Sequence, residues 1–363
     1  MVRFTSNGMK LLFITQKVDQ NDDILGVYHR WIDGVAKHFD KVSVICLYKG
    51  QVALPENVSV YSLGKELAVS SRWRYVWRFW KLIWQLRHDY DRVFVHMNPE
   101  YVVLGGPFWK LSGKKIVLWY AHYLSNLKLR IATLFSDKIV TSIRLAFPFP
   151  SRKLEVLQQG IDTDLFSPAK TFRSPSDPFA VLFLGRIAPV KNLDILIDAF
   201  QLARQRGPMR LSVVGAPTVG RLAEQRYYAE MQQLASGLGL AGTVNFQSPV
   251  ANKNTPAIYR KHDLFVNLTV TGSFDKSTLE AMACGIPVLV SNLAFRDILG
   301  PELASRLMFR EGDCRDLADK ISRLAEISSA DRQKIGDSLR EIIVRHHGLG
   351  RLVDRLSETI SAD

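Results

Sequence analysis

Short apolar runs alternate with helix-patterned stretches along this chain, and the alternation stops once and then starts again. Residues 10–15 read as a buried strand, residues 27–39 place Val27, Trp31, Val35 and Phe39 at helical spacing, and residues 42–47 read as the next strand. A strand, a crossover helix and an adjacent strand form the seed of a parallel sheet. Further strands are predicted at Val58–Ser62, Arg92–His96, Lys115–Trp119, Lys138–Thr141 and residues 154–157, most of them separated by helical stretches. The pattern breaks near Gln159-Gly-Ile-Asp-Thr-Asp-Leu-Phe-Ser-Pro168, and residues 169–178, rich in Ser, Pro and charge, read as a linker. It restarts with a strand at Phe179–Leu184, a helix over 193–206, a strand at 210–214 and a helix over 222–238. Strands at 244–246 and 264–268 follow, and then helices over 315–327, 330–347 and 349–360.

This order predicts an α/β protein of two Rossmann-like domains facing a cleft, with a helical tail. The expected division is residues 1–165, residues 166–345, and a C-terminal helix over 346–363 that packs back on the first domain. Ligands of such sheets bind at the carboxyl ends of the strands, so the cleft between the two halves is the expected site.

At 363 residues the chain exceeds one ordinary core, and 47% hydrophobic with 23% charged residues is a globular composition. Three widely spaced cysteines, Cys46, Cys284 and Cys314, support neither a disulfide framework nor a zinc cluster and fit a reducing compartment. The start shows no secretory pattern, and no run reaches the ~18 consecutive apolar residues of a spanning helix. The expectation is a cytoplasmic protein, at most peripheral at the inner membrane face.

The net charge of +13 is uneven: residues 1–166 hold 23 Lys/Arg against 14 Asp/Glu, and residues 167–363 hold 25 against 21. The first half is therefore the candidate for meeting nucleic acid, an anionic bilayer or a phosphorylated substrate, while on charge alone an excess that merely keeps the chain in solution fits equally. Within it, residues 72–88 place Trp73, Val76, Trp77, Trp80, Ile83 and Trp84 on one helical face, beside a basic stripe of Arg74, Arg78, Lys81, Gln85 and His88. Two readings fit. Four tryptophans beside cations suit a helix lying on anionic lipid, and the same pattern suits a helix packed on its sheet with a basic edge in water. Nucleic acid is not expected, because the aromatics form a helical stripe and not a spaced stacking platform.

No Gly-x-Gly-x-x-Gly follows the first strand, and no Walker loop, Gly-x-Ser-x-Gly or His-Glu-x-x-His occurs, which argues against dehydrogenases, P-loop NTPases, nucleophile-elbow hydrolases and zinc proteases. Strand-end polar residues remain. Gly185-Arg186 follows a strand, and Lys191 comes five residues after Arg186, so both cations can grip a diphosphate; a solvated surface turn is the plain alternative. Residues 271–292 read as a polar turn, a short helix, a Gly stop and a buried strand, and a helix start with Lys276 beside it suits phosphate. Ser277-x-x-Glu280 also matches a capping box, which would make Glu280 a structural residue at the third helical position. His122 stands just past a strand end, where a ligand would lie, although a lone His at such a place is more often structural.

Taken together, Gly185-Arg-(x4)-Lys191, Gly215, Leu279-Glu-Ala-Met-Ala-Cys-Gly-Ile-Pro-Val288 and Gln159-Gly-Ile-Asp-Thr-Asp-Leu-Phe166 resemble retaining glycosyltransferases of the two-domain GT-B fold, in particular glycosyltransferase family 4. The resemblance implies a nucleoside-diphosphate sugar donor and a glycan or polyprenyl-linked saccharide acceptor, with no cofactor and no essential metal. By it, Arg186 and Lys191 hold the donor diphosphate and stabilise the leaving group, Glu280 holds the ribose, and His122 lies near the donor sugar. Asp275, Lys276 and Ser277 surround a phosphate, and Gly26, in the polar loop after the first strand, and Gly215 complete the substrate-binding set. The base is expected against Gly215 and Gln247-Ser248-Pro249. The family's first Glu, eight positions before Glu280, is replaced by Gly272, which leaves Ser273, Asp275 or backbone groups to read the sugar. A nucleotide-sugar epimerase on a similar scaffold and a catalytically silent nucleotide-sugar binder are the alternatives.

Overall fold

The computed structural model describes residues 8–22, 25–67, 71–169, 177–271 and 275–362. The chain divides into two compact units, residues 1–160 with 349–363, and residues 161–348.

The first unit runs β1 (Lys10–Val18), α1 (Val27–Ala36), β2 (Lys41–Lys49), β3 (Val58–Ser62), α2 (Arg72–Gln85), β4 (Arg92–His96), α3 (Pro99–Leu111), β5 (Lys115–Trp119), α4 (Leu127–Phe135), β6 (Lys138–Thr141) and β7 (Leu154–Val156). The seven strands among its described residues are all parallel, in the order β3-β2-β1-β4-β5-β6-β7. Strand residues alternate between two cores, as a pleat buried on both sides requires. Leu11, Phe13, Val42 and Val44 point to a core shared with α1, whereas Leu12, Ile14 and Ile45 point to a core shared with α2, α3 and α4.

Helix α3 carries no clear amphipathic stripe and contains Gly105-Gly106-Pro107, so periodicity alone gives it little signature. Its glycines are packing devices. A Cβ on Gly105 would lie 2.5 Å from the buried Trp109 ring, and one on Gly106 would lie 2.8 Å from Phe135 of α4.

The second unit runs β8 (Phe179–Leu184), α5 (Leu193–Ala203), β9 (Met209–Val214), α6 (Leu222–Gly237), β10 (Val244–Gln247), α7 (Thr255–Tyr259), β11 (Leu264–Asn267), α8 (Lys276–Ala283), β12 (Val288–Val290), α9 (Arg296–Leu307), α10 (Cys314–Glu326) and α11 (Ser329–His346). The five parallel strands among its described residues are ordered β10-β9-β8-β11-β12 around one large apolar core. Helix α9, which the alternation pattern did not mark, is broken at Gly300, whose φ of 69° precedes Pro301. The last helix, α12 (Leu349–Ser361), returns to the first unit, where Leu352, Val353, Leu356 and Ile360 are buried in the α1-side core.

In helix α2 the sequence grouped Ile83 with the four tryptophans, and the structure separates them. Phe79, Ile83 and Leu86 are buried, while Trp73, Trp77, Trp80 and Trp84 all face solvent. The core-facing arc is thus rotated away from the tryptophans. Arg78 also leaves the basic stripe and turns inward to donate to the Leu63 carbonyl at 2.9 Å.

Candidate active site

The strand order of the second unit reverses between β8 and β11, and loops leaving the carboxyl ends of two such strands diverge and open a crevice. The loop after β8 contains Gly185, Arg186 and Lys191, and the loop after β11 leads into α8 with Asp275, Lys276, Ser277 and Glu280. The pattern of apolar runs placed each residue at a strand end; the sheet order makes the two loops neighbours.

Lys191 reaches across this crevice. Its ammonium pairs with the Asp275 carboxylate and donates to Thr269 Oγ1 at 3.1 Å. Asp275 also accepts from Asn267 Nδ2 at 2.9 Å and from the Thr269 hydroxyl. Burial pushes the Asp275 carboxyl up, but the Lys191 charge and the hydrogen bonds from Lys191, Thr269 and Asn267 outweigh it and hold the group below the usual carboxylate range. Two of the three ammonium donors are engaged, so Lys191 keeps an N–H for a further acceptor.

Glu280 anchors a second cluster. Its side chain is 3% exposed and accepts from Asn252 Nδ2 at 3.0 Å and from the Tyr259 hydroxyl at 3.3 Å, with Lys276 Nζ 3.5 Å away. The capping-box reading fails on geometry. Helix α8 begins at Lys276 with Asp275 as its N-cap residue, so Ser277 is already inside the first turn and Glu280 lies beyond the third position. Asp275 makes no cap hydrogen bond with its side chain, because that carboxylate is drawn to Lys191.

The start of α5, next to Lys191, is a less open anion site than that of α8. Tyr227 accepts at its hydroxyl from the amides of Leu193 at 2.8 Å and Asp194 at 3.3 Å, taking up donors that an anion would need.

Arg186 is not part of the Lys191 cluster. It is largely exposed and turns toward α6, where its guanidinium lies 3.3 Å from Glu224 Oε1. Glu224 is buried, pairs with Arg221 as well, and accepts from the Thr218 amide at 2.9 Å. One carboxylate thus orients each cation, Glu224 for Arg186 and Asp275 for Lys191.

Gly215, at the end of β9, permits the close approach of two of these loops. Its φ is 152°, and a Cβ there would sit 1.9 Å from the Gly185 carbonyl oxygen. Its amide donates to the Gln247 carbonyl at 3.0 Å, which ties the ends of β9 and β10 together.

Two expected residues belong to the first unit. His122 is half-buried, stacks on Tyr123 at 4.8 Å and accepts at Nδ1 from the Leu124 amide at 3.1 Å. Gly26 has ordinary helical φ/ψ, and a Cβ on it would meet the Asp22 carbonyl at 2.5 Å, so its small size serves the turn before α1. Gly272 and Ser273 lie outside the described residues.

Sequence reasoning missed Asn252, Tyr259, Thr269, Asn267 and Glu224. Each is an ordinary polar residue at a strand end or on a helix, and the one available signal was position shortly after a strand, as for Asn252 after β10. A buried histidine was missed as well. His96 ends β4, lies 3% exposed among Tyr28, Trp31 and Trp119, and meets Thr15 Oγ1 at 3.4 Å through Nδ1. Burial lowers its pKa to about 3.

Residues 178–326 match the family described as Glycosyl transferases group 1. The matched residues all lie in the second unit. A stretch of 167 residues is 34% identical to the D-inositol 3-phosphate glycosyltransferase of Salinispora tropica, covering 40% of this chain and 34% of that protein. The enzyme of the same name from Actinosynnema mirum is 27% identical over 58% of this chain and 51% of its own length. The chain thus spans about a third to a half of the curated relatives it matches.

Among solved structures, Anabaena Alr3699/HepE in complex with UDP superposes with a TM-score of 0.77 at 21% identity, covering 98% of this chain and 100% of the other. WaaG, a glycosyltransferase involved in lipopolysaccharide biosynthesis, gives 0.68 at 15% identity, covering 97% and 100%. The two units together have the GT-B fold.

Proposed function

We propose that this protein is a retaining glycosyltransferase that moves a sugar from a nucleoside-diphosphate sugar to a glycan or polyprenyl-linked saccharide. The observation that carries the proposal is the meeting of Lys191 with the start of α8 at the sheet's switch point, within the residues that match the group 1 glycosyl transferases. UDP and UDP-glucose in complexes of the structurally similar Anabaena protein support a nucleotide-sugar donor.

In the proposed reaction the acceptor hydroxyl attacks the anomeric carbon from the leaving-group side and the departing nucleoside diphosphate gains negative charge. Arg186 and Lys191 stabilise that charge, and the N-terminus of α8, with Ser277 in its first turn and Lys276 beside it, cradles a phosphate. Binding would transfer Lys191 donors from Asp275 toward phosphate. Glu280 accepts from the ribose hydroxyls and is oriented by Asn252 and Tyr259. His122 is assigned to the neighbourhood of the donor sugar. The three donors on Asp275 all meet its Oδ2, so sugar reading in place of the family's Glu falls to Ser273, to Asp275 through Oδ1, or to backbone groups.

The site works through protein cations, so turnover is expected to persist in EDTA. The proposed setting is surface-polysaccharide or glycolipid assembly at the inner face of the membrane. No helix among the described residues is long and apolar enough to cross a membrane.

The test is a thermal-shift screen of UDP, GDP, ADP and dTDP with their sugars, followed by NMR of the stabilising donor with and without saccharide acceptors. Transfer with retained anomeric configuration supports the proposal. Conversion of the donor alone would favour an epimerase. Binding without turnover would favour a silent binder, the reading that Gly272 motivates.

A further inference from the structure

The first unit carries an apolar surface that its own core does not use. On α2, Trp73 is 81% exposed, Trp77 64%, Trp80 41% and Trp84 58%. At 3.6 residues per turn these four fall within an arc of about 60°, pointing away from the buried Phe79, Ile83 and Leu86. Lys81 and Arg74 lie along one edge of that arc, Val76 and the buried Ile83 along the other, and Arg87 stands just past the helix end. No Asp or Glu occurs between Glu66 and Asp89. Two cations already lie against the stripe, Lys81 Nζ 5.2 Å from the Trp77 ring and the Arg87 guanidinium 4.6 Å from the Trp84 ring.

The surface extends beyond one helix. Helices α2, α3 and α4 pack on the same side of the sheet, and Trp84 touches Phe108 of α3 at 5.8 Å. Leu111 at the end of α3 is 90% exposed, and on α4 Leu127 and Leu134 are 72% and 74% exposed, with the exposed Arg130 between them. Large side chains of this kind, left out of the core on three neighbouring helices, mark an interaction surface.

We propose that the α2–α3–α4 face is a docking plane for the surface of an anionic lipid bilayer, with the tryptophan stripe of α2 seated at headgroup level. The composition selects this occupant. Tryptophan is amphipathic and settles at membrane–water interfaces, and flanking Lys and Arg meet anionic headgroups while their stems follow the apolar boundary. A protein partner of ordinary chemistry would be met by an interface core depleted of charge, whereas here cations border one edge of the aromatic row and its C-terminal end, with no acidic residue between them to neutralise them. The proposal deepens the acceptor half of the function above, since it brings the enzyme to a lipid-linked saccharide. It does not depend on the donor half, because vesicle binding and nucleotide binding are measured separately.

The full chain reports on its own docking. Four of the seven tryptophans form the stripe, and the other three, Trp31, Trp109 and Trp119, are buried. Vesicles of phosphatidylglycerol and phosphatidylcholine should shift the emission to the blue, and brominated lipid should quench it, with much weaker effects from phosphatidylcholine alone. Trp77→Ala/Trp80→Ala should weaken vesicle partitioning at least ten-fold, as should Arg74→Glu/Lys81→Glu, with the thermal shift by nucleoside diphosphates unchanged in both. Three results would overturn the proposal: equal partitioning on neutral and anionic vesicles, equal partitioning of wild type and both double variants, or a concentration-dependent dimer that the tryptophan variant abolishes while vesicle binding stays the same. The last would assign the face to a second copy of the chain. Loss of nucleotide binding with vesicle binding intact would instead count against the donor site alone.

Discussion

Lys191→Met removes the cation that bridges the two loops of the crevice, and the structure shows why that substitution has two effects. The Lys191 and Asp275 side chains are 14% and 23% exposed, so the carboxylate left behind is mostly buried. Breaking a buried pair costs about 3–5 kcal/mol when the remaining charge has no compensation. Here Asp275 keeps the Asn267 amide and the Thr269 hydroxyl and retains some water, which reduces the expected cost to about 2–3 kcal/mol. For a unit of this size that is a fall in Tm of about 5–10 °C. The second effect is on ligand. If Lys191 gives one charge-assisted hydrogen bond to the diphosphate, the best-binding nucleoside diphosphate should bind roughly 10- to 100-fold more weakly. The double variant Lys191→Met/Asp275→Asn separates the two, because the neutral amide no longer needs the cation. It should recover most of the stability and none of the affinity. Thermal unfolding and calorimetric titration with the diphosphate and the matching monophosphate read both quantities. If the double variant binds the diphosphate as well as wild type does, or if affinity for the monophosphate falls equally, Lys191 is not a diphosphate ligand.

The remaining predictions concern separate parts of the two units. Glu280→Gln should keep the Asn252 contact through its one oxygen and turn its amide N–H to the Tyr259 hydroxyl, which can donate to the Ser277 carbonyl instead, yet weaken nucleoside diphosphate binding about ten-fold through loss of the charged acceptor; an unchanged titration would leave Glu280 a purely structural residue. Gly215→Ala would drive a methyl into the Gly185 carbonyl and should lower stability by about 1–3 kcal/mol while weakening nucleotide binding, and an unaltered Tm would show that the loops separate freely. For His96, with a pKa of about 3 in the folded chain against the ordinary 6.5, the unfolded chain takes the proton first. Stability from this group is therefore complete above about pH 6.5 and falls as the pH drops toward 3, by about 1.4 kcal/mol at pH 5.5 and about 3 kcal/mol at pH 4.5. Urea unfolding of wild type and His96→Gln should show that much extra acid loss in wild type; parallel curves would mean that the imidazole is protonated in the fold.

The chemistry was written in the sequence more plainly than its geometry. Alternating apolar runs determined the parallel α/β class, since a strand buried on both faces and a crossover helix each have a local period that the chain displays. Arg186 and Lys191 could be nominated from the sequence because they follow the strand Phe179–Leu184, and Glu280 because Leu279–Val288 is a distinctive run. The partners of these residues were not legible. Lys191 meets Asp275 across 84 positions, and Glu280 meets Asn252 across 28, through strand neighbours that no local period specifies. The order β8 beside β11 is a choice among registers with equally apolar faces, and it alone brings the two loops together.

Helix α2 shows the same division at a single element. Its sequence announces an apolar arc too wide for one contact, and only packing decides that Phe79, Ile83 and Leu86 fill the sheet-side core while the tryptophans remain outside. The tail followed this rule too: helical periodicity predicted α12, but burial of Leu352, Val353, Leu356 and Ile360 in the α1-side core is what assigns it to the first unit. Local sequence fixes which surfaces are apolar and which residues carry charge. Tertiary structure decides which of those surfaces meet, because burial free energy depends on area and shape summed over distant neighbours.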